Sequence, residues 1–370
     1  MRIEDLSIFT YELPFRRTML FDGNELESRK GLLIRLTTET SISVWGEIAP
    51  LPGFSSESLN DATQQLRMLK TNLNGVDIPD ADKLLPISGA FDAWLRPFKL
   101  APSVRFGVET AVLRLIAKQK QTSLRTLLSP KASDVVAVCA LLAGTDEQVL
   151  DKAKKIRANG FKAAKLKVGR QSIERDIALT HAVRKKIGKH IGLRLDANRR
   201  WDIEQAIAFM RSVKDCDIEY IEEPVRDYLD ILRLCNMARS PIPIALDESL
   251  KILSPSALTP IHGIVSVILK PTLLGLERTI QFAMQADELG MKATVSSSFE
   301  SGLGVVALAE IGAGLNRNRD IALGLDTTNS FTSDILSTPL NIKKGQIDLT
   351  IKPAIDPEPR LDILDEVNDA

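Results

Sequence analysis

The chain has 370 residues, too many for one compact domain of ordinary size and enough for two. It is 44% hydrophobic and 26% charged with 48 basic and 48 acidic residues, and this neutrality argues against a nucleic-acid or membrane-surface binder. No secretory leader opens it, no apolar run approaches the roughly 18–20 residues of a membrane span, and Cys139, Cys216 and Cys235 lack CxxC spacing, so a reducing cytoplasm is the expected location.

Residues 1–103 read as an α+β unit. Two segments, 6–13 and 31–36, alternate like antiparallel strands, and the polar stretch Arg16 to Arg29 between them, centred on Phe21-Asp22-Gly23, reads as a loop. A third strand at 41–47 runs into 48–54, where Pro50, Pro52 and Gly53 forbid helix and set a rigid turn carrying Phe54. A helix at 57–72 follows.

From residue 104 to 326 helices and strands alternate. After a helix at 104–120, strands are expected at 135–142, 163–168, 191–198, 218–222, 242–247, 264–270, 292–297 and 321–326. Helical patterns at 147–159, 173–187, 203–216, 228–240, 276–289 and 302–315 fill the gaps. This succession predicts an α/β fold, a (β/α)8-type barrel; no GxGxxG follows any strand, which counts against an open doubly wound sheet. In the final stretch, 327–370, residues 341–349 read as a hairpin returning to the N-terminal unit, ahead of a frayed acidic tail.

Three consecutive strands end in an acid, Asp196, Glu222 and Asp247, spaced 222 − 196 = 26 and 247 − 222 = 25 residues apart. Parallel strands bring their C-terminal ends together, and carboxylates gathered there repel one another unless a cation sits among them; hard oxygens select Mg²⁺, Ca²⁺ or Mn²⁺. One such acid would read as a helix N-cap, but three in succession read as a metal site. Glu222 is preferred to Glu223 because only one of two adjacent side chains points inward. Lys165 and Lys167 share one face of the second strand, with Leu166 on the helix-covered face, so both lysines point into the barrel. Two ammoniums this close lower the pKa of one, as a general base requires. Lys270 ends the sixth strand, across a closed barrel from the second, so Lys167 and Lys270 flank a bound molecule in the arrangement suited to proton abstraction beside a carboxylate.

Arg194 and Asn198 surround Asp196; Asn198 reads as an orienting residue behind the metal or, equally, as a turn former. Ser296, Ser298 and Ser301, between the seventh strand and its helix, suit an anionic group of a substrate. His181, His190 and His262 fall in helices or turns, so histidine catalysis is not expected.

Lys165-Leu-Lys167, Leu195-Asp-Ala-Asn198, Ile221-Glu-Glu-Pro224, Leu246-Asp-Glu-Ser249 and Ile268-Leu-Lys-Pro271 resemble, in order and spacing, the enolase superfamily and its muconate-lactonizing subgroup. The stretches 46–54, 195–201 and 296–301 are similar to those of the o-succinylbenzoate synthase family within it. The resemblance implies an α+β capping domain, built from 1–103 and 327–370, whose two loops close over the barrel mouth and bring Phe21 and Phe54, with Met19 and Leu20, over a small-molecule carboxylate substrate. It implies Mg²⁺, or Mn²⁺, held by Asp196, Glu222 and Asp247, with Lys165, Lys167 and Lys270 as the catalytic lysines. Lys167 would be the base and its conjugate acid, and Lys270 would stabilise the enolate. The implied reaction is a hydro-lyase step of menaquinone biosynthesis, the syn dehydration of 2-succinyl-6-hydroxy-2,4-cyclohexadiene-1-carboxylate to 2-succinylbenzoate. An N-acylamino acid racemase or dipeptide epimerase would share the scaffold and both lysines, and differ in the loops at 16–29 and 46–54. A non-catalytic barrel would have no reason to carry the full set of acids and lysines.

Overall fold

The computed structural model describes residues 1–21, 23–85, 87–237, 242–316 and 321–367. Buried-to-exposed alternation near the N-terminus builds an antiparallel sheet in which Ile3–Phe21 pairs with Asn24–Thr38, and Asn24–Thr38 with Ser43–Ile48. The stretch expected as a loop, Arg16 to Arg29, is instead the end of this long hairpin. After a register shift between Pro14 and Met19 the ladder resumes at Met19–Leu26 and runs to Phe21–Asn24. Period-two burial of Leu13, Phe15 and Phe21 outweighs the polar composition; Asp22, at the expected centre, lies outside the described residues.

Helix Leu59–Leu73 covers this sheet with Ala62, Leu66, Leu69 and Leu73, a single apolar stripe, and starts from a Ser58–Asp61 capping box. Helix Pro102–Gln119 is buried along most of its length between the sheet and the barrel. Sheet and helix meet backbone to backbone: a Cβ at Gly46 would lie 2.3 Å from the Gly107 carbonyl oxygen, so no larger residue fits there.

Seven parallel strands follow in sequence order around the barrel: Cys139–Leu142, Ala163–Lys167, Gly192–Asp196, Ile218–Glu222, Ile244–Leu246, Ile264–Leu269 and Lys292–Val295. Flanking helices turn apolar residues toward them, Leu179, Val183 and Ile187 from Ile173–Ile187 and Ala206, Phe209 and Met210 from Ile203–Ser212. Between the fifth and sixth strands stand short 3₁₀ turns, Glu248–Lys251 and Pro255–Ala257. Helix Tyr228–Met237 matches the described part of the helix expected at 228–240; residues 238–240 lie outside the described ones.

The expected eighth strand, 321–326, is not a regular strand. It closes the barrel through single parallel bridges, Leu323 to Val138 and Gly324 to Ser296. Two three-residue turns, Leu325 N–H to the Leu323 carbonyl and Thr327 N–H to the Leu325 carbonyl, end the ladder there. The 341–349 hairpin also departs from expectation. Gln346–Asp348 pairs with Val135–Ala137 at the foot of the barrel, where Ile347 and Val136 bury together, whereas Asp365–Glu366 pairs with the N-terminal sheet at Phe9 and Thr10, and Phe331 bridges to Phe15. Among the described residues no helix is long and apolar enough to cross a membrane.

Candidate active site

The barrel's C-terminal rim is assembled by strand register. Lys167 lies opposite Asp196 on the neighbouring strand, and Asp196 opposite Glu222 on the next. Strand alternation then puts two layers of side chains into one pocket. Lys165 and Lys167, Tyr220 and Glu222, Ile268 and Lys270, and Thr294 and Ser296 all line it, each pair two residues apart. Cys139 and Leu141 from the first strand and Arg194 from the third complete the floor.

Lysines and acids interleave around this rim. Lys167 Nζ donates to Asp196 Oδ2 at 2.6 Å and to Asn198 Oδ1 at 2.6 Å. Lys165 Nζ lies 3.1 Å from Glu222 Oε2 and 3.3 Å from Asp196 Oδ2, and Lys270 Nζ donates to Asp247 Oδ2. The expectation that crowded ammoniums lower a lysine's pKa is corrected for Lys165. Burial pulls it down, but the charges of Glu222, Asp196 and Asp247 overcome this and hold it well above the ordinary value. Burial pushes Asp196 upward, yet Lys167 and Lys165 keep it well below the usual carboxylate range. Asp247 is pushed up to about 8 by burial and by the neighbouring Glu248, against the pull of Lys270.

Glu222 and Glu223 part as their alternation requires. The Glu223 carboxylate faces away from the pocket, accepting from the backbone N–H of Asp247 and Ser249, both at 2.8 Å, and pairing with Arg199 at 3.0 Å. Asn198, at φ +44°, ties Lys167 to Glu248 by donating from Nδ2 to Glu248 Oε1 at 3.1 Å. Arg194 spends Nε on Glu219 at 2.8 Å and Nη1 on the Ala322 carbonyl at 2.6 Å, and lies over the Tyr220 ring, so it belongs to the pocket floor.

Above the rim, Phe21, Leu51, Phe54 and Phe299 cover the pocket, and the Phe54 ring lies 5.8 Å from Lys270 Nζ. Ser296 and Ser298 line it, whereas Ser301 does not. Ser301 is fully buried, caps helix Gly302–Leu315 by accepting from Leu303 N–H, and donates to Glu47 Oε2 at 2.5 Å, which removes it from any substrate. Met19 and Leu20, also expected over the substrate, are absent from the lining, and Leu20 is largely exposed. Cys139 joins the pocket floor, while His181 contacts Cys216 away from it. Of the lining residues that sequence reasoning missed, Tyr220, Ile268 and Thr294 each stand two before a residue it found, so the alternation pointed to them, whereas nothing in the pattern marked Leu51, Cys139 or Phe299.

A divalent cation suits this donor set. Asp196, Glu222 and Asp247 are hard-oxygen ligands exposed by only 1%, 1% and 4%. Beside them the buried Glu248 Oε2 has no hydrogen-bond partner among the described residues, an acceptor left free next to the three acids. In the structure the lysines occupy the gaps, and among the described residues no three such side chains already form a coordination cluster.

Residues 148–354 match the enolase C-terminal domain-like family, and residues 3–115 match the MenC N-terminal domain. The chain is 32% identical over 343 residues to o-succinylbenzoate synthase of Haemophilus influenzae, covering 91% of this chain and 93% of that one. This chain belongs to the enolase superfamily. Within the superfamily it falls in the o-succinylbenzoate synthase family, and it is an enzyme of the hydro-lyase class. It is also 31% identical to Protein PHYLLO, chloroplastic, of Arabidopsis thaliana over 91% of its own length, while spanning only 21% of that larger protein. The superfamily fold is shared with the solved N-succinyl Arg/Lys racemase from Bacillus cereus, with a TM-score of 0.85, 21% identity and 100% coverage of both chains.

Proposed function

We propose that this enzyme is an o-succinylbenzoate synthase of menaquinone biosynthesis, working in the cytoplasm on 2-succinyl-6-hydroxy-2,4-cyclohexadiene-1-carboxylate. The observation that carries the reading is that Lys167, at the end of the second barrel strand, and Lys270, directly after the sixth, line one acid-rimmed, aromatic-covered pocket. Asp196, Glu222 and Asp247 would hold Mg²⁺, or Mn²⁺, which when bound supplies positive charge to the substrate carboxylate as it becomes an enolate. Lys167 Nζ takes the proton alpha to that carboxylate. The carbon–hydroxyl bond on the same face then breaks, a ring double bond forms, and Lys167 returns its proton to the departing hydroxide as water. Lys270 keeps its ammonium beside the developing anion. Lys165 holds Glu222 and Asp196 in place from beneath. Phe21 and Phe54 exclude water, and Ser296 and Ser298 face the succinyl end. Residues 1–103, with the end of the chain, form the capping unit.

The direct test is ultraviolet absorbance of the purified chain with the cyclohexadiene substrate and Mg²⁺. Appearance of the aromatic product is expected, and its absence with a metal-loaded, folded protein would overturn the reading. Racemase or epimerase activity is favoured by the same pair of lysines, since each reaches one face of a bound molecule. Deuterium exchange of an N-acylamino acid with inversion, and no aromatisation, would select it.

A further inference from the structure

The bulkiest of the fully buried side chains is an arginine that forms no ion pair among the described residues. Arg29, 1% exposed, gives its guanidinium to main-chain carbonyls instead. Nε donates to Phe299 at 3.2 Å, Nη1 to Pro50 at 2.7 Å and to Lys30 at 3.2 Å, and Nη2 to Ala49. Each distant acceptor belongs to a segment that covers the pocket. Ala49 and Pro50 lead into Leu51 and Phe54, and Phe299 ends the serine loop after the seventh strand. Arg29 itself sits in the hairpin, opposite Leu13, whose end carries Phe21.

The rings above follow the same joint. Phe21 and Phe299 meet edge to face at 5.0 Å, and Phe15 lies 6.2 Å from Phe299. Phe299 has φ +62°, a conformation that a bulky residue keeps only where its surroundings hold it. Its carbonyl is held by Arg29, and its N–H by Ser297 Oγ at 3.0 Å. Arg29 does not line the pocket.

We propose that Arg29 is a positioning residue, whose one buried guanidinium fastens the Phe21 hairpin, the 49–54 turn and the 297–299 loop into a single cover over the substrate. The proposal rests on reading the pocket as the substrate site. Arginine suits the joint because its planar fork presents five donors on three nitrogens at fixed angles, so Nε, Nη1 and Nη2 each reach a different carbonyl, whereas a lysine's three donors all leave one nitrogen and cannot cover the same span.

The test compares the wild-type chain with Arg29→Lys and Arg29→Met by hydrogen exchange without substrate, well below the unfolding transition, and by steady-state kinetics. In either variant, amide exchange in 16–29, 49–55 and 297–301 should rise together, by about tenfold or more, while the strands at 192–196 and 218–222 keep their protection. KM should rise about tenfold, with kcat changed by less than about threefold. Arg29→Lys keeps the charge and decides the matter should Arg29→Met fail to fold. Exchange that rises in one segment alone, or evenly through the chain, would make Arg29 an ordinary structural residue and overturn the proposal, as would wild-type exchange and KM in Arg29→Lys. The exchange result needs no turnover, so it stands apart from the outcome of the dehydration assay.

Discussion

On the barrel side of the pocket, Lys165, Lys167, Asp196 and Glu222 sit where strand register puts them, and each holds the next through a charged contact. On the covering side, Phe21, Phe54 and Phe299 come from three segments far apart in the chain, joined by aromatic edges and by carbonyls converging on one arginine. A parallel sheet fixes its rim without help, because neighbouring strand ends cannot shift independently. A cover made of loops needs dedicated fasteners. Chemistry should therefore fail when rim charges are removed, and substrate handling should fail when the cover is altered.

Metal removal is expected to have the largest effect. Chelator should abolish turnover, and Asp247→Asn should weaken Mg²⁺ binding measured by calorimetry; full activity in excess chelator would break the rim's assigned role. Next comes Lys167→Ala, which loses both the base and its returning acid and should lower kcat by at least about 10³-fold. Lys270→Ala should lose about 10²- to 10³-fold, the scale of one lost anion-stabilising group. With an analogue that keeps the acidic proton but cannot eliminate, Lys270→Ala should still exchange that proton with D₂O while Lys167→Ala exchanges little, and the reverse pattern would swap their roles. On the covering side, Phe54→Ala should lower kcat/KM about tenfold by removing the ring beside Lys270, with the thermal transition nearly unchanged. A large stability loss with normal kinetics would move Phe54 into the structural core. The smallest effect belongs to Ser301→Ala, which should cost about 1 kcal/mol of stability as a lost helix cap and leave KM unaltered. A raised KM would return Ser301 to the substrate.

The same contrast explains what the sequence disclosed. The acids and lysines of the rim were legible because two regular patterns, a repeat near 25 residues and alternation along each strand, mark both position and direction. The cover was legible only as composition. Arg16 to Arg29 looked like a loop because its polar residues hid a strand alternation carried by Phe15 and Phe21. Ser301 looked like its neighbours Ser296 and Ser298, and only its contact with Glu47, 254 residues away, sets it apart. Arg29 gave no signal at all, since a residue whose partners are backbone carbonyls leaves no complementary side chain in the sequence. The 321–326 segment was placed correctly as the closing element but without its turns, which arise from backbone geometry rather than residue pattern.

The pairing of Phe9 with Glu366, and of the Val367 N–H with the Ile8 carbonyl at 2.8 Å, has a consequence for how the molecule is made. At Phe9 and Thr10 the outer edge of the first strand is completed by residues 365–367, so that stretch stays unpaired until they have been synthesised. Such an open edge is a template for association with other chains. The barrel's intervening units can form from local contacts, but sealing this stretch of the N-terminal sheet waits for residues 365–367 and carries the slow closure of a very long loop. Chains that lack residues 365–367 thus expose this stretch of edge, and it lies on the sheet that carries the cover.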